Sequence, residues 1–480
     1  MQSHSGRMRV RFAPSPTGPL HIGGARSALF NYLLAKGAGG DFIMRMEDTD
    51  RDRSSPESEE NIKQSLLWLG ITWNEGIDIG GPHAPYRQME RLQTYNETAQ
   101  KLLASGHAYY CYCSELELEA MRLKQIDRGE TPHYDGRCRQ LTPKERAAKE
   151  AEGIKPVLRF AVPKDEELII EDLVRGQVVF KSQEIGGDFV IIKSDGIPTY
   201  NYAVVVDDHL MEISHVVRGE EHLSNTPRQL LLYDALGWDR PAFAHISLIL
   251  GEDRSKMSKR HGSVSVVNYQ EEGYLPQALV NFLALLGWSP SGEEEIFSMQ
   301  ELEQEFSLER VAKNPAVFDL NKLRWLNSQY LRALPPEQIA AGIAPFLSAE
   351  WTEEKRLLLA ETLTNHLETF SDVCDFLPLV EGSEPLACAE DAAAVLAQEY
   401  VPDLVSFFAA KIETLSDFSP AAIKDTIKQT GKELGLKGAA LFMPLRVAIT
   451  GSCHGPDIDK LAALLGRSNL LGRLEFVRKR

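Results

Sequence analysis

Hydrophobic and polar positions follow a clear order at the beginning of the chain. The apolar alternation over residues 8–12 predicts a short buried strand, which two prolines end. Leucines recur four residues apart over residues 23–36 and a glycine follows, which predicts a helix. A second apolar run over residues 41–47 predicts another strand. The chain therefore opens on a strand–helix–strand crossover.

The turn between the first strand and the helix carries the sequence His21-Ile22-Gly23-Gly24. Free N–H groups and the helix dipole converge at such a turn, so it is suited to binding phosphate. The residues before Asp41 include basic side chains and no acidic one, although the whole chain is acidic. These features predict a nucleotide site beside Glu47, and the alternative is an ordinary turn rich in glycine and proline.

The middle of the chain predicts two further groups of strands. Apolar runs separated by glycines predict an inserted α/β module, and they cover residues 157–160, 168–170, 177–180 and 189–192. Later apolar runs at residues 215–217 and 243–250 flank a helix that Thr226 is predicted to cap. These later runs indicate that the opening sheet resumes.

A loop over residues 251–262 follows the last predicted strand. Arg254, Lys256, Lys259 and Arg260 lie close together in it, interleaved with serines. Cationic side chains at the carboxyl end of a sheet are suited to stabilising an anionic transition state. The alternative is a cluster of solvated surface cations.

After about residue 265, hydrophobic residues recur with the period of a helix rather than with that of a strand. Ser298 and Glu301 form a predicted capping box. Further helical periods cover residues 352–370, 391–414 and 420–434, the last with Ser419 as its N-cap. The last third of the chain is therefore predicted to be all-helical.

Three cysteines, Cys111, Cys113 and Cys138, have a spacing that suits a zinc site. A structural zinc ion takes four ligands, and Tyr134, His133 and Gln140 are the candidates for the fourth. The alternative is a cluster of reduced cysteines without a metal.

Composition restricts the class of protein further. A chain of 480 residues with ordinary hydrophobic content is expected to form about three globular domains. No apolar run approaches the roughly 18 residues of a membrane span, and the first residues lack the apolar core of a signal peptide. We therefore expect a cytoplasmic protein. The net charge of −17 argues against a general nucleic-acid coat protein but allows a local basic surface.

Four motifs together resemble those of the bacterial glutamyl-tRNA synthetases: RFAPSPTG at residues 11–18, HIGG at 21–24, EDTDRDRS at 47–54 and KMSKR at 256–260. HIGG and KMSKR are similar to the two signatures of class I aminoacyl-tRNA synthetases. EDTDRDRS is similar to the glutamyl branch rather than the glutaminyl branch. The chain departs from the family pattern at Gly24, where the first signature has a histidine, and at Gln140, where zinc-binding members have one.

The resemblance implies an α/β fold with a split Rossmann-type catalytic domain, an inserted α/β acceptor-binding module and an all-helical anticodon-binding region. The implied ranges are 1–96 for the first catalytic half, 97–201 for the inserted module, 202–250 for the second half, 251–335 for the KMSKR loop and stem-contact region, and 336–480 for the anticodon-binding domain. A monomer is expected.

The same resemblance implies a ligase that attaches L-glutamate to tRNA(Glu) through glutamyl-adenylate, using ATP with Mg²⁺. It assigns catalysis to His21, Lys256 and Lys259. The implied ATP-binding residues are His21, Gly23, Gly24, Glu221, His222, Lys256, Ser258 and Lys259. The implied glutamate-binding residues are Arg11, Ala13, Ser15, Glu47, Tyr200 and Arg218. For zinc, the implied ligands are Cys111, Cys113, Cys138 and Tyr134.

Alternatives stay open at this point. A short paralogue that glutamylates a modified tRNA base would lack the helical last third. A tRNA-binding scaffold that has lost catalysis would not need His21, Lys256 and Lys259. For Arg11 and Arg218, the alternative to substrate binding is a structural ion pair.

Overall fold

The computed structural model describes residues 6–258, 264–384, 386–387 and 390–479. The chain divides into two compact units. The first comprises Met1–Asn268 and Leu279–Asp319, and the second comprises Tyr269–Ala278 and Leu320–Arg480.

The strands of the described residues belong to the first unit. They are β1 (Arg9–Phe12), β2 (Asp41–Met44), β3 (Glu75–Gly76), β4 (Ala108–Cys111), β5 (Val157–Phe160), β6 (Glu167–Asp172), β7 (Gly176–Lys181), β8 (Phe189–Ile192), β9 (His215–Gly219), β10 (Ala242–Ile246), β11 (Ile249–Leu250) and β12 (Ala316–Val317).

Helices alternate with these strands along the sequence and follow the last strand. The earlier helices are α1 (Ile22–Gly37), α2 (Pro56–Trp68), α3 (Leu92–Ala104), α4 (Glu115–Asp127), α5 (Pro143–Ala151), α6 (Tyr200–Leu210), α7 (Thr226–Leu236), α8 (Val266–Glu271), α9 (Pro276–Leu285) and α10 (Met299–Glu305). The later helices are α11 (Leu320–Arg332), α12 (Pro336–Ile343), α13 (Glu353–Leu363), α14 (Val373–Val380), α15 (Glu390–Leu396), α16 (Val401–Thr414), α17 (Pro420–Leu434), α18 (Ala439–Thr450), α19 (Ile458–Leu465) and α20 (Arg467–Arg478).

Two sheets with parallel strands form the α/β core of the first unit. The first has the order β1-β2-β3, and the second has the order β9-β10-β6 with β7 antiparallel at its edge. The two sheets meet where the Arg9 N–H donates to the Ser214 hydroxyl at 2.8 Å and the Ser214 N–H donates to the Arg9 carbonyl at 2.9 Å. Strands β1 and β9 are therefore neighbours, and their carboxyl ends open into the same region.

The predicted opening crossover is confirmed by the order β1, α1, β2. His21 is the N-cap of α1, and its side chain accepts the Gly23 N–H. The predicted caps at Ser298 and Ser419 are also present. These features depend on residues close in sequence, which is why the local pattern predicts them.

Four local predictions are wrong. The helix predicted over residues 352–370 ends at Leu363, and the helix predicted over residues 391–414 is interrupted between α15 and α16. The strand predicted over residues 243–250 is broken after Ile246, because the Ser247 carbonyl accepts from Arg26 and the Leu248 N–H donates to Glu220 Oε1 at 2.9 Å. Thr226 is not the N-cap of α7 but its first residue.

The β6–β7 hairpin lies in the range that the sequence assigned to the inserted module. In the structure β6 pairs with β10, so the hairpin extends the parallel sheet, whereas β4, β5 and β8 form a separate antiparallel sheet. The predicted domain boundaries themselves stay a prediction.

The second unit is built around two hydrophobic clusters that share α19. Ile458, Ala462 and Leu465 face one cluster, and Leu461 and Leu464 face the other. The described residues contain no helix that is both long and apolar enough to cross a bilayer.

Candidate active site

A cleft of about 1350 Å³ opens at the carboxyl ends of β1 and β9. The turn after β1, the first turn of α1 and the loop before α6 border it. The residues predicted for glutamate and ATP that line this cleft are Arg11, Ala13, Ser15, His21, Gly23, Gly24, Glu47, Tyr200, Arg218, Glu221 and His222. The fold therefore brings residues 11–62 together with residues 193–225.

The segment that follows the basic loop contacts the same turn. The Ile22 N–H donates to the Val264 carbonyl and the Val266 N–H donates to the Leu20 carbonyl, both at 2.9 Å. Lys256 is exposed and does not line the cleft. Its ammonium group is nevertheless near enough to His21 to lower the pKa of the imidazole. Ser258 also lies outside the cleft lining.

Lys259 and Arg260 lie outside the described residues, so the role of Lys259 stays a prediction.

His21 is held in one tautomer by its own helix. The Gly23 N–H donates to His21 Nδ1 at 3.0 Å, so a neutral ring carries its proton on Nε2. Burial and the Lys256 ammonium both lower the pKa of His21, which favours this neutral ring. His21 thus offers the cleft an Nε2–H donor beside the free N–H groups of a helix N-terminus.

The two glycines of the turn have different surroundings. A Cβ atom at Gly24 would lie 3.2 Å from Leu20 Cδ1 and 3.7 Å from Phe12 Cζ, so this glycine lets α1 pack closely against β1. A Cβ atom at Gly23 would meet only the His21 ring, at 3.4 Å, among the described residues. Gly23 is therefore the position where a ligand can approach the backbone.

A buried ion-pair network lies beneath one side of the cleft. Arg11 Nε and Nη2 donate to the Asp208 carboxylate at 3.1 and 3.2 Å, and Arg45 Nη1 donates to the same group at 2.7 Å. Arg45 Nη2 also donates to Glu47 Oε1 at 3.1 Å. Burial by itself would raise the pKa of Asp208, but the two guanidinium groups outweigh it and lower the pKa. Arg11 is therefore part of a structural ion pair as well as the cleft lining.

Arg218 is also buried, but its hydrogen-bond partners are uncharged groups rather than carboxylates. Its Nε donates to His245 Nε2 at 3.1 Å, and its Nη2 donates to Thr226 Oγ1 at 2.9 Å and Gln229 Oε1 at 2.7 Å. Its Nη1 is buried and has no hydrogen-bond partner within the described part of the chain. Burial lowers the pKa of Arg218. An unpaired buried guanidinium nitrogen is costly, and in a residue that lines a cleft it is suited to receiving a carboxylate.

Tyr200 and His222 form a contact on the wall of the cleft. The Tyr200 hydroxyl lies 3.0 Å from His222 Nδ1. Burial and the Arg218 charge lower the pKa of His222 to about 4, so this ring is neutral near pH 7. Burial raises the pKa of Tyr200, which keeps its hydroxyl as a donor.

Sequence analysis missed several charged residues around the site. Asp207 and Asp208 interrupt the apolar residues of α6, and two adjacent acids in a buried run are a signal for buried cationic partners. Asp172 and His245, which lie behind Arg218, carried no sequence signal that we can identify.

The cysteine cluster lies in the antiparallel sheet region, away from the residues lining the cleft. The sulfur atoms of Cys111, Cys113 and Cys138 all lie within 4.8 Å of one another. The Tyr134 hydroxyl lies 3.3 Å from Cys111 Sγ and 3.6 Å from Cys113 Sγ, whereas His133 and Gln140 are exposed. Ligands about 2.3 Å from a tetrahedral zinc ion are separated by about 3.8 Å, so these four donors fit a zinc ion.

The chain matches known proteins along nearly all its length. The model of the catalytic domain of class I tRNA synthetases (E and Q) matches residues 7–325, and the model of an anticodon binding domain matches residues 327–478. Glutamate–tRNA ligase of Heliobacterium modesticaldum is 56% identical over 476 residues, which is 97% of this chain and 96% of that protein. The chain belongs to the glutamate–tRNA ligase family.

A second relative and a solved structure agree with this membership. Glutamate–tRNA ligase of Desulforamulus reducens is 53% identical, over 98% of this chain and 100% of that protein. The crystal structure of a glutamate tRNA ligase from Elizabethkingia meningosepticum in complex with its amino acid has a TM-score of 0.88, 36% identity, and 99% coverage of both chains.

Membership in the glutamate–tRNA ligase family confirms the predicted fold class, a class I synthetase catalytic domain followed by a helical anticodon domain. It also supports the predicted ligase rather than a paralogue with an altered acceptor or lost catalysis. Class I synthetases generally use ATP and Mg²⁺.

Proposed function

We propose that the protein attaches L-glutamate to tRNA(Glu) in two steps. The α-carboxylate of glutamate attacks the α-phosphorus of ATP, which forms glutamyl-adenylate and releases pyrophosphate. A hydroxyl of the terminal tRNA ribose then attacks the glutamyl carbonyl and releases AMP. The observation that carries this proposal is the cleft that joins a helix N-terminus, suited to phosphate, to an unpaired buried guanidinium, suited to carboxylate.

Glutamate would lie between Arg11, Tyr200 and Arg218. The Nη1 atoms of both arginines have no hydrogen-bond partner among the residues that the structure describes, and each can donate to a substrate carboxylate. Glutamine would offer an amide to these cations and leave a charge unpaired, which disfavours it. Glu47, with Ala13 and Ser15, would receive the substrate's ammonium group.

ATP, arriving with its Mg²⁺ ion, would lie over the first turn of α1. His21, Gly23, Gly24, Glu221 and His222 line this part of the cleft, and Lys256, Ser258 and Lys259 would approach from the basic loop. Phosphoryl transfer asks little covalent chemistry of the protein, so these groups act by positioning and by stabilising charge on the phosphoryl oxygens.

Glutamate-dependent exchange of pyrophosphate into ATP tests this function. We expect exchange with glutamate and not with glutamine, and we expect it to require tRNA(Glu). Absence of exchange both with and without tRNA would favour a tRNA-binding scaffold instead. Charging assays on purified tRNA(Glu) and tRNA(Gln) would then define the acceptor.

The second unit supports the proposed tRNA partner. An anticodon binding domain is matched at residues 327–478, and we propose that the helical region over residues 336–480 contacts the anticodon. We further propose that the ligase acts as a monomer in the cytoplasm, where its three substrates occur together.

We also propose that Cys111, Cys113, Cys138 and Tyr134 bind a structural zinc ion. The Arg159 guanidinium lies 4.0 Å from the centre of the Tyr134 ring, which places a positive charge beside these donors. The ion would join β4 to the segment that follows α4 and so hold this part of the inserted module together.

Elemental analysis of the purified protein tests the zinc site. We expect about one zinc ion per chain in the native protein and a loss of most of it in Cys138→Ser, because three donors hold zinc less tightly than four. The matched control is Cys374→Ser, which changes an exposed cysteine outside the cluster. Equal zinc content in the two variants, or no zinc in the native protein, would contradict the assignment.

A further inference from the structure

Arg218 differs from Arg11 and Arg45, the buried arginines on the other side of the site, in the kind of group that holds it. Arg11 and Arg45 donate to carboxylates, whereas Arg218 donates to an imidazole, a hydroxyl and an amide. No carboxylate of the described residues lies within ion-pair distance of Arg218. A buried arginine is normally paired, so these neutral partners call for an explanation.

The imidazole of His245 is held in a single tautomer by Asp172. The Asp172 carboxylate accepts the backbone N–H groups of Val174, Arg175 and His245 at 3.0, 2.8 and 3.1 Å. It also lies 2.6 Å from His245 Nδ1. A carboxylate that accepts this many N–H groups is ionised, so Nδ1 carries the imidazole proton. Nε2 is then the atom that accepts the N–H of Arg218, since arginine can only donate.

Neighbouring strands fix this arrangement. His245 of β10 lies directly opposite Arg218 of β9, and Asp172 of β6 lies opposite Phe243 of β10. The side chains of Asp172 and His245 are fully buried. The chain Asp172–His245–Arg218 therefore crosses three parallel strands and ends at the cleft.

We propose that Asp172 and His245 are positioning residues that fix the direction of the Arg218 guanidinium without neutralising its charge, and so set the affinity for the carboxylate of glutamate. This inference rests on the proposed binding of glutamate by Arg218. A carboxylate in direct contact with Arg218 would hold it equally well but would compete with the substrate carboxylate for the same charge. In this protein the neutral imidazole of His245 accepts the N–H of Arg218, and the negative charge lies on Asp172, behind His245.

The experiment measures KM for glutamate and KM for ATP separately, in pyrophosphate exchange with tRNA(Glu) present. We expect His245→Leu to raise KM for glutamate about tenfold and to leave KM for ATP nearly unchanged, because a hydrogen bond to a charged group is lost. His245→Gln places a neutral acceptor near the position of Nε2, and we expect it to retain most of the glutamate affinity. An equal effect of the two variants, or equal effects on both substrates, would overturn the proposal.

A second variant separates positioning from simple structural support. Gln229→Glu changes the neutral acceptor of Arg218 Nη2 into an anionic one of nearly the same shape. If these contacts only stabilised the fold, the new ion pair would leave KM for glutamate unchanged. We expect instead that KM for glutamate rises about tenfold while KM for ATP stays nearly unchanged, because the new carboxylate at position 229 competes with the substrate carboxylate for the Arg218 charge. Unchanged KM would overturn the proposal.

Failure of this inference and failure of the proposed function give different results. If Arg218→Leu does not change KM for glutamate, the assignment of Arg218 to the substrate is wrong. If Arg218→Leu raises KM but His245→Leu does not, only the positioning role is wrong. His209→Leu is the matched control, since His209 stacks on Trp238 outside the cleft lining and is expected to leave both KM values unchanged.

Discussion

Replacement of His21 by asparagine is expected to lower the rate of glutamyl-adenylate formation roughly a hundred- to a thousandfold, the range found when one preorganised donor to a developing charge is removed. The Nδ1 atom of His21 accepts the Gly23 N–H, so the ring's Nε2–H is the group that remains for the triphosphate. Since this donor acts mainly on charge that develops in the transition state, kcat should fall while KM for ATP changes much less.

Asparagine separates the two roles of this side chain. It is a good N-cap and can still accept the Gly23 N–H, but it cannot reach the position of Nε2. His21→Ala loses the cap as well and is expected to destabilise the protein by about 1 kcal/mol in addition. Denaturant unfolding and single-turnover exchange would measure the two effects. An asparagine variant with near-native kcat would show that His21 acts only as a cap.

Replacement of Arg218 by leucine is expected to raise KM for glutamate by about 10²- to 10³-fold, since charge-assisted hydrogen bonds to the substrate are lost. It should destabilise the protein less than loss of a buried ion-pair partner does, because no buried carboxylate of the described residues loses its counter-charge, although Gln229 Oε1 and His245 Nε2 each lose a donor.

Arg11→Leu is the matched comparison. It should also raise KM for glutamate, but it leaves the buried Asp208 carboxylate with Arg45 as its remaining strong partner. We expect it to destabilise the protein by roughly 3 kcal/mol, as when one member of a buried ion pair is removed. Thermal or denaturant unfolding would distinguish the two variants. Equal destabilisation by both would contradict the different roles assigned to the two arginines.

The local elements of the fold were largely predictable from sequence. The opening crossover, the caps at Ser298 and Ser419, and the helical last third all follow from the hydrophobic period and from residues within one turn. Prediction was wrong where a distant contact decides the local conformation. The strand over residues 243–250 breaks because Arg26 and Glu220 bind its backbone.

The sequence predicted which residues line the candidate site, but it did not predict which of their charges are paired. Motif resemblance located Arg11 and Arg218 and treated them alike, as substrate ligands or as structural ion pairs. In the structure Arg11 is in an ion pair and Arg218 is not, and the difference comes from Asp208 and His245.

The sequence by itself determined the elements and the chemical groups they carry, including a histidine at the start of the first helix. Such features need only neighbours within a few residues, whose distances the covalent chain fixes. Only the tertiary structure decided which charges are neutralised, because Asp208 lies 197 residues from Arg11 in the chain and Asp172 lies 73 residues from His245. Coulomb and hydrogen-bond energies depend on separations of a few ångströms, and over such chain lengths the packing of the strands, rather than the order of the residues, sets those separations.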